Sequence, residues 1–363
     1  MYLISHKVNK FRNIEICDFY PEKGVNIIFG RNGQGKTNLL ESIYLLCGAR
    51  SFRTKCDADL IKYGETESLL RSAFFLSERE QKIDIFISKN GREAQLNRGS
   101  KMKASSLTGK FCCVLFSPEH LMLIKGGPVE RRKFLDTALC QISARYLSEL
   151  KKYLRVLKQK NALLKEYYRV PDGDHILDVL DFQLIEYSLI VTKIRREFCE
   201  VLKKLSKEYY GLISGEREEL SVFFNSSIWK DDVAECSSGM DIMRKNRELD
   251  IKRGYCGFGP HRDDLSVFLD NKDARIFASQ GQQRTAVLSM KMSEAQIMEK
   301  YLREKPVLLL DDVLSELDLS RRGYLLESIE GFQSIITVCD TATVSDNSNY
   351  SVFEIEEGNL IRN

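Results

Sequence analysis

One run of eight residues, Gly30-Arg-Asn-Gly-Gln-Gly-Lys36-Thr37, limits what this chain can fold into more than any other feature. Its G-x-x-x-x-G-K-[ST] spacing is that of a phosphate-binding loop, which works only between a strand and a helix. Both neighbours are present: Val25–Phe29 is a short β run, and Leu39, Leu40, Ile43, Tyr44 and Cys47 recur at helical spacing after the loop. Each residue type has a reason. Glycines let backbone N–H groups close on phosphate oxygens without a Cβ in the way, and the helix N-terminus adds a positive dipole end. Lys36 is expected on the β and γ phosphates and the Thr37 hydroxyl on Mg2+. Gly30, Arg31, Asn32, Gly33, Gln34, Gly35, Lys36, Thr37 and Asn38 thus form the expected ATP cradle.

Such a loop needs a sheet behind it, and the chain supplies one in two pieces. Residues 1–116 read as strand-rich: Ile14–Phe19, Val25–Phe29, an alternating Ile83–Ser88 that runs into a hairpin turn at Asn90-Gly91, and a wholly apolar Cys112–Phe116. Residues 117–254 read as mostly helix. Leu147, Leu150, Leu154 and Leu157, then Leu177, Leu180 and Leu184, then Phe198, Val201, Leu202 and Leu205 each mark an apolar face, and Pro171–Asp174 reads as a turn between long helices. Residues 255–363 return to α/β. Leu265–Leu269 and Arg275–Ala278 flank a polar turn, Gln282–Arg303 is helical, and Val307–Leu310 and Ile335–Cys339 are apolar runs suited to central parallel strands. Val352–Ile355 with Gly358-Asn359 reads as a closing hairpin. The expected fold class is α/β: a P-loop ATPase head (1–116 and 255–363), a mixed sheet with an antiparallel N-terminal meander, and an inserted, mainly helical arm (117–254).

Asp311 and Asp312 end the run Val307-Leu-Leu-Leu, and α/β sheets bind ligands at the C-terminal ends of their strands. Asp311 is expected to hold Mg2+, through water. Asp312 is expected to orient or deprotonate the attacking water. Ser279 opens a helix in Ser279-Gln-Gly281-Gln282-Gln-Arg284 and reads either as a plain N-cap or as part of a second nucleotide contact. The Ser-x-Gly-Gln order before the carboxylate strand resembles the signature motif of ABC-type ATPases, whose serine and helix N-terminus, Ser279, Gly281 and Gln282 here, meet a nucleotide held by the opposite subunit. Glu316-Leu-Asp318 resembles their D-loop, and Cys339 stands where their switch histidine usually sits.

The ordered set Phe11-Arg-Asn13, Gly30–Asn38, Leu40-Glu41, Ser51–Thr54, Phe116-Ser-Pro-Glu119, Arg131-Arg132-x-Phe-Leu-Asp136, Gly259-Pro-His-Arg-Asp-Asp-Leu265, Ser279–Arg284 and Leu310–Asp318 resembles the bacterial RecF family over nearly the whole chain. The Gly259–Leu265 block and the Phe-Leu-Asp after paired arginines are the most specific parts. His120 departs from the family, which usually continues its Phe-Ser-Pro-Glu with Asp. The resemblance implies an ABC-type head with a short arm. It also implies ATP-driven homodimerisation with Ser279 closing on the partner's nucleotide, binding of DNA at gapped or stalled replication sites, and recombinase loading with RecO and RecR mediators.

Charge tests the DNA expectation independently. The chain of 363 residues has a formal net charge of only +3, so distribution decides. Segment 141–170 carries eight basic residues against two acidic ones. A solvated helix face and a DNA-backbone grip both fit such a run. Arg131, Arg132, Lys151, Lys152, Arg155 and Lys158 are the candidate contacts for double-stranded or gapped DNA, although Arg131 and Arg132 read equally well as structural ion-pair partners of Glu130 and Asp136. Gly259–Asp264 reads best as a structural turn. Ten cysteines without a Cys-x-x-Cys pair fit a reducing cytosol, and no apolar run is long enough for a membrane span. The N-terminus lacks the layout of a signal peptide, so a cytoplasmic protein is expected. Because Asp312 is shorter than the Glu usual in fast ABC ATPases, slow ATP hydrolysis is expected, and the resemblance implies that DNA stimulates it. A transporter-type ATPase subunit, an SMC-like structural ATPase and a small-substrate P-loop kinase are the competing classes.

Overall fold

The computed structural model describes residues 1–215, 218–229, 236–340 and 350–362. The chain forms two compact units. The first comprises Met1–Leu121, Leu212–Glu216 and Arg284–Asn363; the second comprises Met122–Gly211 and Arg217–Gln283. The main changes of unit therefore fall at 121/122 and 283/284, where periodicity alone suggested 116/117 and 254/255.

The first unit has two six-stranded sheets. One is an antiparallel meander in the order Ile14–Phe19, Tyr2–Phe11, Glu67–Leu76, Arg79–Ser88, Gly91–Leu96, Met102–Lys103. Its strands alternate buried and solvated residues, as one-sided sheets do. The other sheet runs Asn359–Arg362, Ser351–Glu356, Val25–Phe29, Ser334–Val338, Val307–Asp311, Cys113–Phe116, parallel except for the Asn359–Arg362 edge. Val307–Asp311, Ser334–Val338 and Cys113–Phe116 are buried at every position. Their unbroken apolar runs follow from cover on both faces.

The helix Lys36–Tyr44 after the phosphate loop belongs to the core joining these sheets. Leu39, Leu40 and Ile43 are fully buried in one cluster with Leu3, Phe11 and Phe74 of the meander and Leu309 and Ile335 of the parallel sheet. Burial of each such side chain is worth about 1.5–3 kcal/mol. The helix is anchored by more than apolar contact. Its Ser42 hydroxyl donates to the Leu39 carbonyl at 2.7 Å, so it accepts from His6 Nε2, also at 2.7 Å. That leaves His6 Nδ1 to accept from Ser72, at 2.8 Å.

The second unit holds the helices Pro128–Ile142, Ala144–Lys165, Gly173–Ser214 (up to residue 211) and Cys236–Arg253, and a three-stranded antiparallel sheet of Leu220–Asn225, Asp264–Leu269 and Lys272–Asp273. Its core gathers Tyr153, Leu157, Leu184, Ile185, Trp229 and Met243.

Five local expectations change. The apolar sets at 177–184 and 198–205 lie on one 42-residue helix. Leu220–Asn225 is a strand inside the stretch expected to be mostly helical, paired in full with Asp264–Leu269. Arg275–Ala278 is not extended: Asp273 caps a helical turn, Ala274–Phe277. The hairpin at Asn90-Gly91 forms, but Ser88 pairs with Gly91, so the loop is Lys89-Asn90 and only Gly91 has positive φ, at 123°. The closing hairpin instead turns on Glu357-Gly358, both with positive φ, as a type I′ turn requires.

His6 gives the first unit an acid limit. Burial lowers its pKa from 6.5 to about 3. Between these values the unfolded chain binds more protons than the folded one, so stability is lost as pH falls through that window. The thermal midpoint is expected to drop between pH 7 and pH 5, and His6→Gln to shrink that drop; an unchanged drop in the variant would exclude His6 as a source.

Candidate nucleotide site

The phosphate loop leaves Val25–Phe29 and is held from three sides. Gly30 lies against the Ile355 carbonyl of the neighbouring strand, with no room for a Cβ. The Asn13 amide donates to the Gly33 carbonyl at 3.0 Å and accepts from Asn38 at 2.7 Å. Gly35, with φ of 113°, makes the turn into Lys36–Tyr44.

Parallel register brings the acidic residues to this loop. Val307–Asp311 pairs with Ser334–Val338, which pairs with Val25–Phe29, so Asp311 and the loop emerge at the same sheet edge. Thr37 Oγ1 donates to Asp311 Oδ1 at 2.8 Å and Thr337 Oγ1 does so at 3.0 Å. Burial pushes the Asp311 carboxyl up from its ordinary range and the Asp312 charge adds to this, while the two hydroxyls and Arg53 pull it down. Asp312 sits in the left-handed region, φ 51°, with its N–H donating to Thr337 Oγ1 at 3.0 Å. That conformation costs about 1–2 kcal/mol outside glycine, and Asp is among the few residues that adopt it.

Lys36 Nζ donates to the Gly30 and Arg31 carbonyls and lies 3.9 Å from Cys339 Sγ. Cys339, at the switch position, also lies 3.1 Å from Asn32 Oδ1 and 3.9 Å from Asp312 Oδ1. The result is an open cleft of about 550 Å³, lined by Lys36, Thr37, Asn38, Asp311, Asp312 and Cys339 among others. Hard oxygens from Thr37 and Asp311, a lysine and loop N–H groups are the donor set that a Mg2+–nucleoside triphosphate requires. His120 does not line this cleft; it accepts from the Ser117 N–H at 3.0 Å and closes its own turn.

The comparisons with known proteins agree with this geometry. The RecF/RecN/SMC N terminal domain family matches residues 2–360. The chain is 43% identical to the DNA replication and repair protein RecF of Agathobacter rectalis over 93% of this chain and 92% of that one. It is 39% identical to the protein of the same name from Streptococcus suis, over 99% of both. The chain belongs to the RecF family. A solved structure described as the recombination mediator protein RecF-ATP in the RecFOR pathway superposes with a TM-score of 0.91 at 36% identity, covering 100% of this chain and 97% of that one. An SMC head bound to the C-winged helix domain of ScpA matches with a TM-score of 0.59 at 15% identity, likeness in fold alone. The ABC-type head fold expected from the sequence is therefore present.

The RecF-specific blocks have definite places. Phe11–Asn13, Glu41 and Ser51–Arg53 converge beside the loop. The fully buried Glu41 accepts from Arg12 Nε at 3.0 Å and Nη2 at 2.9 Å and from the Ser51 hydroxyl, with Arg53 at 3.6 Å. In the second unit, the paired arginines and the Gly259–Leu265 block knit together around Arg195. Its guanidinium reaches Asp136 at 2.7 Å, Asp263 at 3.1 Å and the Pro260 carbonyl at 2.6 Å. His261 donates from Nε2 to the Cys256 carbonyl and accepts the Tyr153 hydroxyl at 2.6 Å; burial lowers its pKa to about 4.

This network corrects one DNA candidate. Arg131 is buried, forked onto Asp264 at 2.6 and 2.9 Å, with its remaining nitrogen on the Leu123 and Gly126 carbonyls, so four of its five N–H donors are held inside the protein. Arg132, half-buried, donates to the Asp263 carbonyl. Lys160, counted among the basic run, is buried between Asp181 and Asp250. Lys151, Lys152, Arg155 and Lys158 remain exposed on the outer face of Ala144–Lys165, Lys152 pairing with Glu149.

Ser279 is the N-cap of the helix Gln280–Leu302. Its hydroxyl accepts from the Gln282 N–H at 3.3 Å while Gln282 reaches back to the Ser279 N–H at 2.6 Å, a reciprocal capping box. Gln282 also donates to Glu218. Asp318 of the D-loop caps Leu319–Ser328.

Sequence reasoning missed Thr337, whose hydroxyl donates to the Asp311 carboxylate and accepts the Asp312 backbone N–H. Its signal was a lone polar residue at the end of the apolar run Ile335-Ile336. Glu41 is the member most exposed to test: Glu41→Ala leaves Arg12 beside a buried void and is expected to cost about 3 kcal/mol, read by chemical denaturation. A loss below about 1 kcal/mol would show that the pair does not anchor the loop helix.

Proposed function

We propose that the chain is an ATP-driven DNA-binding ATPase of replication and recombinational repair. The observation that carries this is the convergence of Lys36, Thr37, Asp311 and Asp312 in one cleft, supported by the likeness to an ATP-bound RecF. Lys36 and the loop N–H groups bind the β and γ phosphates. Thr37 and Asp311 hold Mg2+, Asp311 through water. Asp312, aimed by its left-handed backbone and Thr337, orients the attacking water. When bound there, Mg2+ would supply charge neutralisation at the γ-phosphate. The short Asp312 keeps hydrolysis slow, and DNA stimulates it.

Ser279, exposed at a helix N-terminus, closes on the nucleotide of a second copy, with Gly281 and Gln282 beside it. Nucleotide binding energy then drives dimerisation and hydrolysis releases it. The exposed cations Lys151, Lys152, Arg155 and Lys158, with Arg132 as a lesser contributor, grip double-stranded or gapped DNA through its backbone. With RecO- and RecR-type mediators, the dimer promotes recombinase loading. The protein acts in the cytoplasm.

Sedimentation with ATP and Mg2+ is expected to show a dimer. Lys36→Met abolishes both nucleotide binding and dimer, whereas Ser279→Arg keeps nucleotide binding and blocks the dimer. No ATP-dependent change in mass would overturn the model. Asp312→Asn keeps the side-chain volume and the left-handed backbone, so it is expected to bind ATP, lose at least tenfold in hydrolysis and prolong the dimer; hydrolysis at the wild-type rate would remove Asp312 from the chemistry.

A further inference from the structure

The antiparallel meander of the first unit has a second, solvated face that the nucleotide cleft does not use. Register places its side chains in rows. Lys7 stands opposite Arg71, Arg71 opposite Asp84, and Asp84 opposite Gln95. One step along the strands, Ser5 faces Ala73 and Ala73 faces Lys82, so the rows lie about 7 Å apart. The short side chains of Ser5 and Ala73 leave a trough of about 890 Å³, and Lys7, Arg71, Lys82 and Arg98 stand along it with Asp84 as the one carboxylate in its lining.

Two features set this trough apart from an ordinary polar sheet face. Lys7 and Arg71 are like charges directly opposite one another, an arrangement that destabilises a sheet by itself and is relieved by an anion between them. The guanidinium groups of Arg71 and Arg98 have no ion-pair partner among the described residues, although Asp84 lies across from Arg71. Lys7 pairs with Asp18 at 2.9 Å and Lys82 with Glu80 at 3.2 Å. Both pairs are solvent-exposed, contribute little, and exchange readily for another anion. A guanidinium pair with free forks fits phosphate oxygens, which accept two parallel N–H bonds.

We propose that this trough is a second contact surface for the phosphate backbone of DNA, distinct from the cationic face of Ala144–Lys165. The inference rests on the DNA-binding reading above and adds a site to it. Phosphates of one backbone segment lie along the trough, bound by Arg71 and Arg98 and flanked by Lys7 and Lys82. The contact is independent of base sequence.

The test is fluorescence anisotropy of the full chain with ATP and Mg2+ on a labelled 30-base-pair duplex, across a salt series. For an R71A/R98A variant with the wild-type thermal midpoint, the slope of log affinity against log salt is expected to flatten by about 1.8, two phosphate contacts. Affinity at low salt should fall about tenfold. A K151A/R155A variant is the comparison. If it weakens binding while R71A/R98A leaves slope and affinity unchanged, the trough is overturned and the DNA reading stands. If the wild-type chain does not bind the duplex at low salt, both fail. If R71A/R98A impairs binding of polyglutamate but not of the duplex, the surface belongs to an acidic protein and the proposal is overturned.

Discussion

A single buried carboxylate organises the nucleotide cleft. Asp311 ends a strand enclosed on both faces, and water cannot reach it freely enough to solvate its charge. Its compensation comes from the Thr37 and Thr337 hydroxyls, which belong to the loop helix and to the strand between. Val307–Asp311, Ser334–Val338 and the strand Val25–Phe29 that leads into the loop must therefore stay in parallel register. A shift by one residue would turn Asp311 and Thr337 to the opposite faces of the sheet and leave the carboxylate unpaired. The same contacts fix the Asp312 backbone, since its N–H is held by Thr337. The Asp311 carboxylate and the Asp312 backbone are thereby placed by one hydroxyl-centred arrangement.

Elsewhere in the chain, charge is used in two ways. Where a cation and its partner are buried, they specify structure: Glu41 with Arg12 behind the loop helix, Arg195 with Asp136 and Asp263, and Lys160 with Asp181 and Asp250. Removing one member strands the other in low dielectric. Where cations are exposed, as at Lys151 and Arg155 or at Arg71 and Arg98, they are free to meet an anion from outside. The most RecF-specific blocks fall mainly in the first class. Their specificity reflects interlocking geometry, because an arginine fork tolerates few replacements.

The cradle, the helix after it and the carboxylate strand were legible because their chemistry is contiguous: eight residues carry the loop, and unbroken apolar runs announce strands covered on both faces. The capping box at Ser279 was equally local, Ser and Gln three residues apart. Leu220–Asn225 was not legible, since its pairing partner begins some forty residues later at Asp264 and helical neighbours dominate any window around it. The continuity of the long helix through residues 173–214 was hidden for a similar reason. Nothing within the sequence distinguishes two aligned helices from one.

Arg131, Lys151 and Lys160 show where a sequence stops. All three are basic residues on amphipathic helices, and charge counting treats them alike. Sequence determined that a phosphate loop stands between a strand and a helix, that two carboxylates end an apolar strand, and that basic residues concentrate at 141–170. Only the tertiary structure decided which of those cations meets water. Burial and partner choice depend on residues far away in the chain, Asp264 for Arg131 and Asp181 with Asp250 for Lys160, and the energy of a charge depends on its surroundings far more than on its identity.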